Sequence, residues 1–320
     1  MTFRGNGHWP INLGDATIYL TVVVLLAVNT ALQPNFIQVS NLLYVLGTAL
    51  PLVFAAAAQG LVMLTSSIDL AAGSIISLTN VLVVVFIGQG SVVAIGLAIA
   101  AGVVVGTLAG LLTTLLRLPS IIVTLALSSI WAGLALYILP TPRSGLPASL
   151  GQLTTGSTPL WVTLALVGAW LWLARTPLGK RIYALGSSEN AAYMAGISIL
   201  RTKLIVFAIS GGLLALAAIM LSATTGGGDP LSGAPITLQT IAAAVLGGIS
   251  FRGGKGSLVG AVAGAIVLAL ITNVVFYTGA SAFYQGVVYG VLLVLALALS
   301  RFTSHRWVRV PRPSFTRSIG

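Results

Sequence analysis

Apolar stretches of about twenty residues, separated by short polar breaks, follow one another along almost the whole 320-residue chain, and nothing else limits its possible folds so strongly. A helix crossing a hydrocarbon core about 30 Å thick needs about 20 apolar residues, because each residue rises about 1.5 Å. Ten stretches meet that requirement or approach it: residues 16 to 33, 42 to 64, 70 to 88, 91 to 116, 119 to 139, 159 to 174, 204 to 223, 236 to 250, 256 to 277 and 283 to 300. Membrane β-barrels show short alternating segments instead. A soluble globule has nowhere to hide 57% hydrophobic residues, with 6% charged and a mean hydropathy of +1.07. The chain reads as an all-α integral membrane protein with about ten transmembrane helices. The first stretch follows Arg4 and lacks a small-residue cleavage pattern, so it reads as a retained helix.

Charge fixes the expected orientation. With the N-terminus in the cytoplasm, ten crossings put Arg4, Arg117, Arg175, Lys180, Arg181, Arg201, Lys203, Arg252, Lys255 and the tail residues Arg301, Arg306, Arg309, Arg312 and Arg317 inside. Only Arg143 falls outside, as the positive-inside rule requires. Both termini are then cytoplasmic, and the net charge of +11 needs no nucleic acid. Residues 1 to 300 form one polytopic domain; the basic tail, 301 to 320, suits anionic lipid headgroups.

Catalytic chemistry finds little material. Cysteine is absent, and the two histidines, His8 and His305, sit in the polar ends. The four carboxylates are scattered, with no HExxH or GxSxG motif. The stretch "GISFRGGKGS" (248 to 257) resembles a phosphate loop but misses the required spacing, and Gly256 follows its lysine. The expectation is a non-enzyme with no cofactor or metal of its own; ATP and magnesium, if used, bind another subunit.

Two segments between spans are long. The outer one, 140 to 158, is rich in Pro, Gly, Ser and Thr. The inner one, 175 to 203, carries charge and then a short helical pattern over 187 to 196. Ser187 or Ser188 can cap that helix, and Glu189 suits the positive end of its dipole. With Asn190, it presents Ala191, Ala192, Met194 and Ala195 as a small apolar surface ahead of Gly196. It is either an ordinary interfacial helix or one that docks into a partner's groove.

Glycines four apart, at Gly102, Gly106 and Gly110 and again at Gly256, Gly260 and Gly264, form ridges that let helices approach closely, within this chain or across a dimer. Each ridge has an Asp-x-x-x-Gly nearby, Asp69 with Gly73 and Asp229 with Gly233, five spans apart, which suggests an inverted repeat. The short stretch 236 to 250 suits a half-helix. Asp69 itself sits between two apolar runs, where a charge is costly. It reads either as a cap for the helix starting in "LAAGS" or as part of a solute pathway, with Gln59, Thr65 and Asn80 as neighbours that otherwise bond helix to helix. Trp131, Trp161, Trp170 and Trp172 read as interfacial anchors.

"GLVMLTSSIDLAAGSIISLTN" (60 to 80), "LPSIIVTLALSSIWAGLAL" (118 to 136), "TPLGKRIYALGSSENAAYMAGISILRTKLIVFAISGGLLALAAIM" (176 to 220) and "IAAAVLGGISFRGGKGSLVGAVAGAIV" (241 to 267) together resemble the ribose/xylose/galactose-type permease subunits of bacterial ABC importers, in the right order over about residues 40 to 300. The resemblance implies a type II importer fold and an inner-membrane permease that pairs with an identical or paralogous copy. It also implies two ATP-binding subunits, or one fused ATPase with two domains, and a periplasmic sugar-binding protein. The family's coupling segment falls on 186 to 198, with Gly186, Glu189, Ala191, Ala192, Gly196 and Ile197 fitting its pattern. Its Gly-Gly-Ile-Asp-Leu-Ser-Val-Gly-Ser element falls on Ser66 to Ser74, so Ser66 and Ser67 replace two glycines. Thr237, Leu238 and Gln239 stand where the family carries Glu-Leu-Asp, so an acidic contribution to the outer gate is missing. The rival readings are a nucleoside or branched-chain amino-acid permease, a proton-coupled or facilitative carrier in which Asp69 and Asp229 titrate, and a scaffold without transport.

Overall fold

The computed structural model describes residues 13–279 and isolated positions from 284 to 291; apart from those positions, the last expected span, 283 to 300, and the basic tail lie outside the described residues. The helices are α1 (Leu13–Leu32), α2 (Val39–Leu64), α3 (Ala72–Phe86, prolonged by a 3-10 turn, Ile87–Gln89), α4 (Ser91–Leu115), α5 (Ser120–Ile138), α6 (Ala148–Gly151), α7 (Thr158–Arg175), α8 (Pro177–Ser187), α9 (Glu189–Met194), α10 (Ile199–Thr225), α11 (Ile236–Leu246) and α12 (Leu258–Tyr277). Two-residue strands, β1 (Arg143–Ser144) and β2 (Gly227–Gly228), pair antiparallel.

Nine of the ten expected stretches correspond to helices among the described residues, and seven of these helices are long and apolar enough to cross a membrane. The apolar part of α1, Ile18–Leu32, is shorter. At 11 residues, or about 16 Å, α11 cannot span. It stops at Leu246 because Gly247 and Gly248 follow, the latter with φ +83°. The α12 helix starts later than expected, at Leu258, since the Ser257 hydroxyl caps it by accepting from the Val259 amide at 3.2 Å.

Helix α2 runs through the middle of the bundle, with 83% of its apolar window buried, against 22% for α5 and α7 at the lipid-facing margin. Its small residues, Ala55 to Ala58, are wholly buried, so neighbouring helices come close to its backbone on several sides. The outward faces carry Leu125, Ile130, Leu164 and Trp172, side chains that lipid solvates at no cost.

The connections sort into two ends, as alternate crossing demands. One end holds the β1 and β2 pair and the edge-to-face contact of Phe36 with Tyr277. The other gathers Leu64 to Ser66, Gly186 to Ser187 and Arg252 to Gly254. Chain connectivity puts Arg117, Arg175, Lys180, Arg181, Arg201, Lys203, Arg252 and Lys255 at this second end and Arg143 at the first.

Candidate functional site

Two helices break off inside the bundle, and their ends are built alike. After α2, residues 65 to 71 leave the helix before α3 begins; after α10, residues 226 to 235 do so before α11. Ser66 and Gly226 both adopt the left-handed conformation, with φ of 58° and 67°. Three residues further on, Asp69 Oδ1 accepts from the Ala71 amide and Asp229 Oδ1 from the Leu231 amide, each at 2.8 Å. Four residues beyond the aspartates, Gly73 and Gly233 meet backbone to backbone: a methyl group on either would run into the other's carbonyl. Reciprocal bonds lock the crossing, from the Gly73 amide to Thr237 Oγ1 and from the Gly233 amide to Ser77 Oγ, both 3.0 Å.

Irregular backbone buried away from water persists only where protein satisfies it, and α5 does this for the first break. Ser120 Oγ accepts from the Ile68 amide and Thr124 Oγ1 from the Leu70 amide, both at 2.9 Å. Asp69 is buried, and its bond to Ala71 pins the turn that leads into α3. At the second break Asn80, buried on α3, accepts from the Asp229 amide at 2.8 Å and donates to Ser222 Oγ at 2.6 Å. Ser77, Ser120 and Thr124 went unnoticed in the sequence because isolated hydroxyls in apolar runs are common, and Thr237 draws notice there only for standing in an acidic residue's place.

No hydrogen bond joins any two of the expected pathway residues Gln59, Thr65, Asp69, Asn80 and Gln239. Asp69 and Asn80 hold the two breaks. Thr65 merely donates back to the Val62 carbonyl at 2.8 Å. Gln59 is buried in α2, and neither of its amide atoms has a partner among the described residues. Gln239 lies half-buried on α11.

At the end that gathers Leu64 to Ser66 and Arg252 to Gly254, α8 is an amphipathic helix that the sequence reading did not separate from its loop. Thr176 caps it, with Oγ1 accepting from the Gly179 amide at 3.4 Å, and Pro177 opens its first turn. Ser187 ends α8, donating to the Tyr183 carbonyl at 2.8 Å, so the cap of α9 is Ser188, which accepts from the Ala191 amide at 3.2 Å. Glu189 opens α9 and pairs with Lys203 of α10 at 3.4 Å. Asn190 and Ala191 are exposed, and Gly196 leaves the helix with φ +77°. Ala192 faces inward at 2% exposure, whereas Ala191, Met194 and Ala195 are exposed as expected, and Tyr193 adds the larger side chain to the protruding surface beside Met194, at 69% and 84%. Beside α9 a shallow cleft of about 160 Å³ is lined by Arg181, Ser198 and Arg201. Tyr183 donates to the Gly256 carbonyl at 2.8 Å; burial pushes its phenol up to about 12, keeping it a donor.

Both glycine ridges pack within the chain. Gly102, Gly106 and Gly110 lie against Gly211, Phe207 and Lys203 of α10. Gly260 and Gly264 lie against Gly247 and Ala243. Gly256 is not part of its ridge: it precedes α12 in a loop, with φ +109°. Among the tryptophans, Trp161 and Trp172 are exposed, whereas Trp170 is buried and donates to Ser257 Oγ at 3.1 Å, which corrects its reading as an interfacial anchor. Trp131 is half-buried, its indole N–H unpartnered among the described residues.

Residues 41–297 match the family described as branched-chain amino acid transport system / permease component. The ribose import permease protein RbsC of Escherichia coli (strain K12) is 33% identical over 291 residues, covering 87% of this chain and 91% of that protein. The protein of the same name from Bacillus subtilis (strain 168) is 34% identical over 294 residues, 88% and 91% of the two chains. The autoinducer 2 import system permease protein LsrC of Enterobacter sp. (strain 638) is 33% identical over 295 residues, 89% and 86%. With this extent of similarity and seven helices of spanning length, the chain belongs to the permease-component family of these import systems and is a multi-pass membrane protein.

Proposed function

We propose that this chain is the transmembrane permease subunit of an ATP-driven importer that carries a monosaccharide, or a similarly polyhydroxylated solute, across the bacterial inner membrane. The observation that carries the reading is similarity to ribose import permeases along nearly nine-tenths of the chain, including both helix breaks and α9. The chain performs no chemistry of its own. An ATPase pair below the membrane binds ATP and magnesium, a periplasmic protein delivers the solute, and a second permease copy completes the pathway.

The matched breaks at Ser66–Gly73 and Gly226–Gly233 support an inverted repeat, with ten spans and both termini inside. Solute passes beside the broken helices, where backbone polarity is available without a charged side chain. Selectivity rests mainly with the delivery protein, because release into the cytoplasm requires weak binding along the route. α9 is the element that meets the ATPase: it projects Tyr193 and Met194, and Glu189 ties it to α10.

Reconstitution of the complete complex in vesicles tests the reading. Ribose uptake that needs both the delivery protein and ATP, and that survives a protonophore, is expected. Uptake by the permease alone, or uptake abolished by the protonophore while ATP is plentiful, refutes it. The similarity to an autoinducer 2 permease favours that solute as the second substrate to assay.

A further inference from the structure

Ser66 is one of two non-glycine residues with positive φ among those described. A side chain in the left-handed region costs about 1 kcal/mol or more, so some interaction here must offset it. The hydroxyl supplies that interaction. Ser66 Oγ lies 2.9 Å from the Gly186 carbonyl, in the last turn of α8, and 2.6 Å from the Arg252 carbonyl, in the loop after α11. A serine hydroxyl has one proton to give, so it donates to either carbonyl and is placed to pass from one to the other.

Around this hydroxyl the three backbones touch. The Gly254 amide donates to the Leu64 carbonyl at 3.0 Å. A methyl group on Gly186 would strike Leu64, one on Gly253 would strike Ser66, and one on Gly254 would strike Ser187. Ser187 adjoins Ser188, the cap of α9; Ser66 opens the break that holds Asp69; Arg252 lies in the loop after α11. At the matching position of the other break, Gly226 secures its neighbour through backbone alone, its carbonyl accepting from the Gly145 and Leu146 amides at 3.2 Å. Only the inner break uses a side chain whose donor can change partner.

We propose that Ser66 is a positioning residue for transport: its hydroxyl straps the last turn of α8, which leads directly into α9, to the α2 break and to the loop after α11, so that displacement of α9 moves both broken elements. This rests on the importer reading above. The chain has no cysteine, so Tyr193→Cys with Lys255→Cys, both exposed sites, allows the spin-label distance across the strap to be measured in the reconstituted complex with and without ATP. Ser66→Gly removes the hydroxyl and relieves φ, Ser66→Ala removes it and keeps the strain, and Ser66→Asn tolerates the left-handed backbone while offering amide protons.

With the Gly and Ala variants, ribose uptake per ATP hydrolysed should fall about fivefold, the factor expected for one net hydrogen bond, and the label distances should broaden. Ser66→Asn should restore both. Uptake and hydrolysis falling together at a constant ratio, or an unchanged ratio in Ser66→Gly, overturns the proposal. If the unmutated complex takes up no ribose, the substrate reading fails by itself. The label distances in the purified chain then still decide the strap, and an unchanged width in Ser66→Gly overturns it.

Discussion

Replacing Asp69 separates a carboxylate that shapes the backbone from one that carries a proton. Its Oδ1 accepts from the buried Ala71 amide at 2.8 Å, one residue before α3 begins. Asparagine keeps a carbonyl oxygen in that place and removes the charge; leucine removes the acceptor. In Asp69→Leu the Ala71 N–H is left buried and unbonded, at a cost of about 1–3 kcal/mol, which is about 5- to 150-fold in the population of the turn. The neighbouring bonds from Ile68 to Ser120 and from Leu70 to Thr124 remain, so the loss should be local and the bundle should still fold. Asp69→Asn should transport ribose within about twofold of the unmutated protein, and Asp69→Leu should lose most of it, since at about 2 kcal/mol the turn population falls roughly thirtyfold. Uptake into vesicles at fixed ATP, normalised to folded protein by size-exclusion fluorescence, reads both. If Asp69→Asn is as inactive as Asp69→Leu, the charge itself is required and the turn-forming role is refuted.

Gly106→Val should sharply lower the yield of folded protein, because α4 and α10 are in backbone contact there, whereas Gly133→Ala on α5, which meets nothing, should leave yield unchanged; detergent-solubilised yield compares the two. Glu189→Lys reverses both the helix-end charge and the pairing with Lys203; with Glu189 half exposed the pairing contributes little to stability, so thermal stability should hold while stimulation of ATP hydrolysis by loaded delivery protein is lost. Asn80→Leu strips the acceptor from the Asp229 amide and the donor from Ser222, and should lower the apparent melting temperature in detergent more than Thr65→Val, whose lost bond is a local back-bond.

Apolar run length alone located nine helices, because the bilayer sets their length and the bundle needs no further pattern to specify them. The Asp-x-x-x-Gly spacing marked both breaks, since an aspartate that accepts from the amide two residues on and a glycine in close contact are local requirements visible in sequence. Run length could not show α8, which is charged on one side and lies among loops, nor which glycines were helical: Gly256 sits in the ridge spacing but lies in a positive-φ loop, where Tyr183 donates to its carbonyl and Ile249 leaves no room for a side chain. Placement of Ala192 also escaped, because a six-residue helix gives too little periodicity to say which side faces inward. The Ser66 contacts span 120 and 186 residues, a separation no local pattern reveals.

The meeting of Gly73 and Gly233 limits how this bundle can rearrange. With no side chain between them, the two main chains bear directly on each other, and the flanking bonds to Thr237 and Ser77 resist sliding along either axis. Tilting about that point is the motion left open, so the crossing works as a fulcrum. A solute passage built around it would open on one face of the membrane as it narrows on the other, without either broken helix having to unwind.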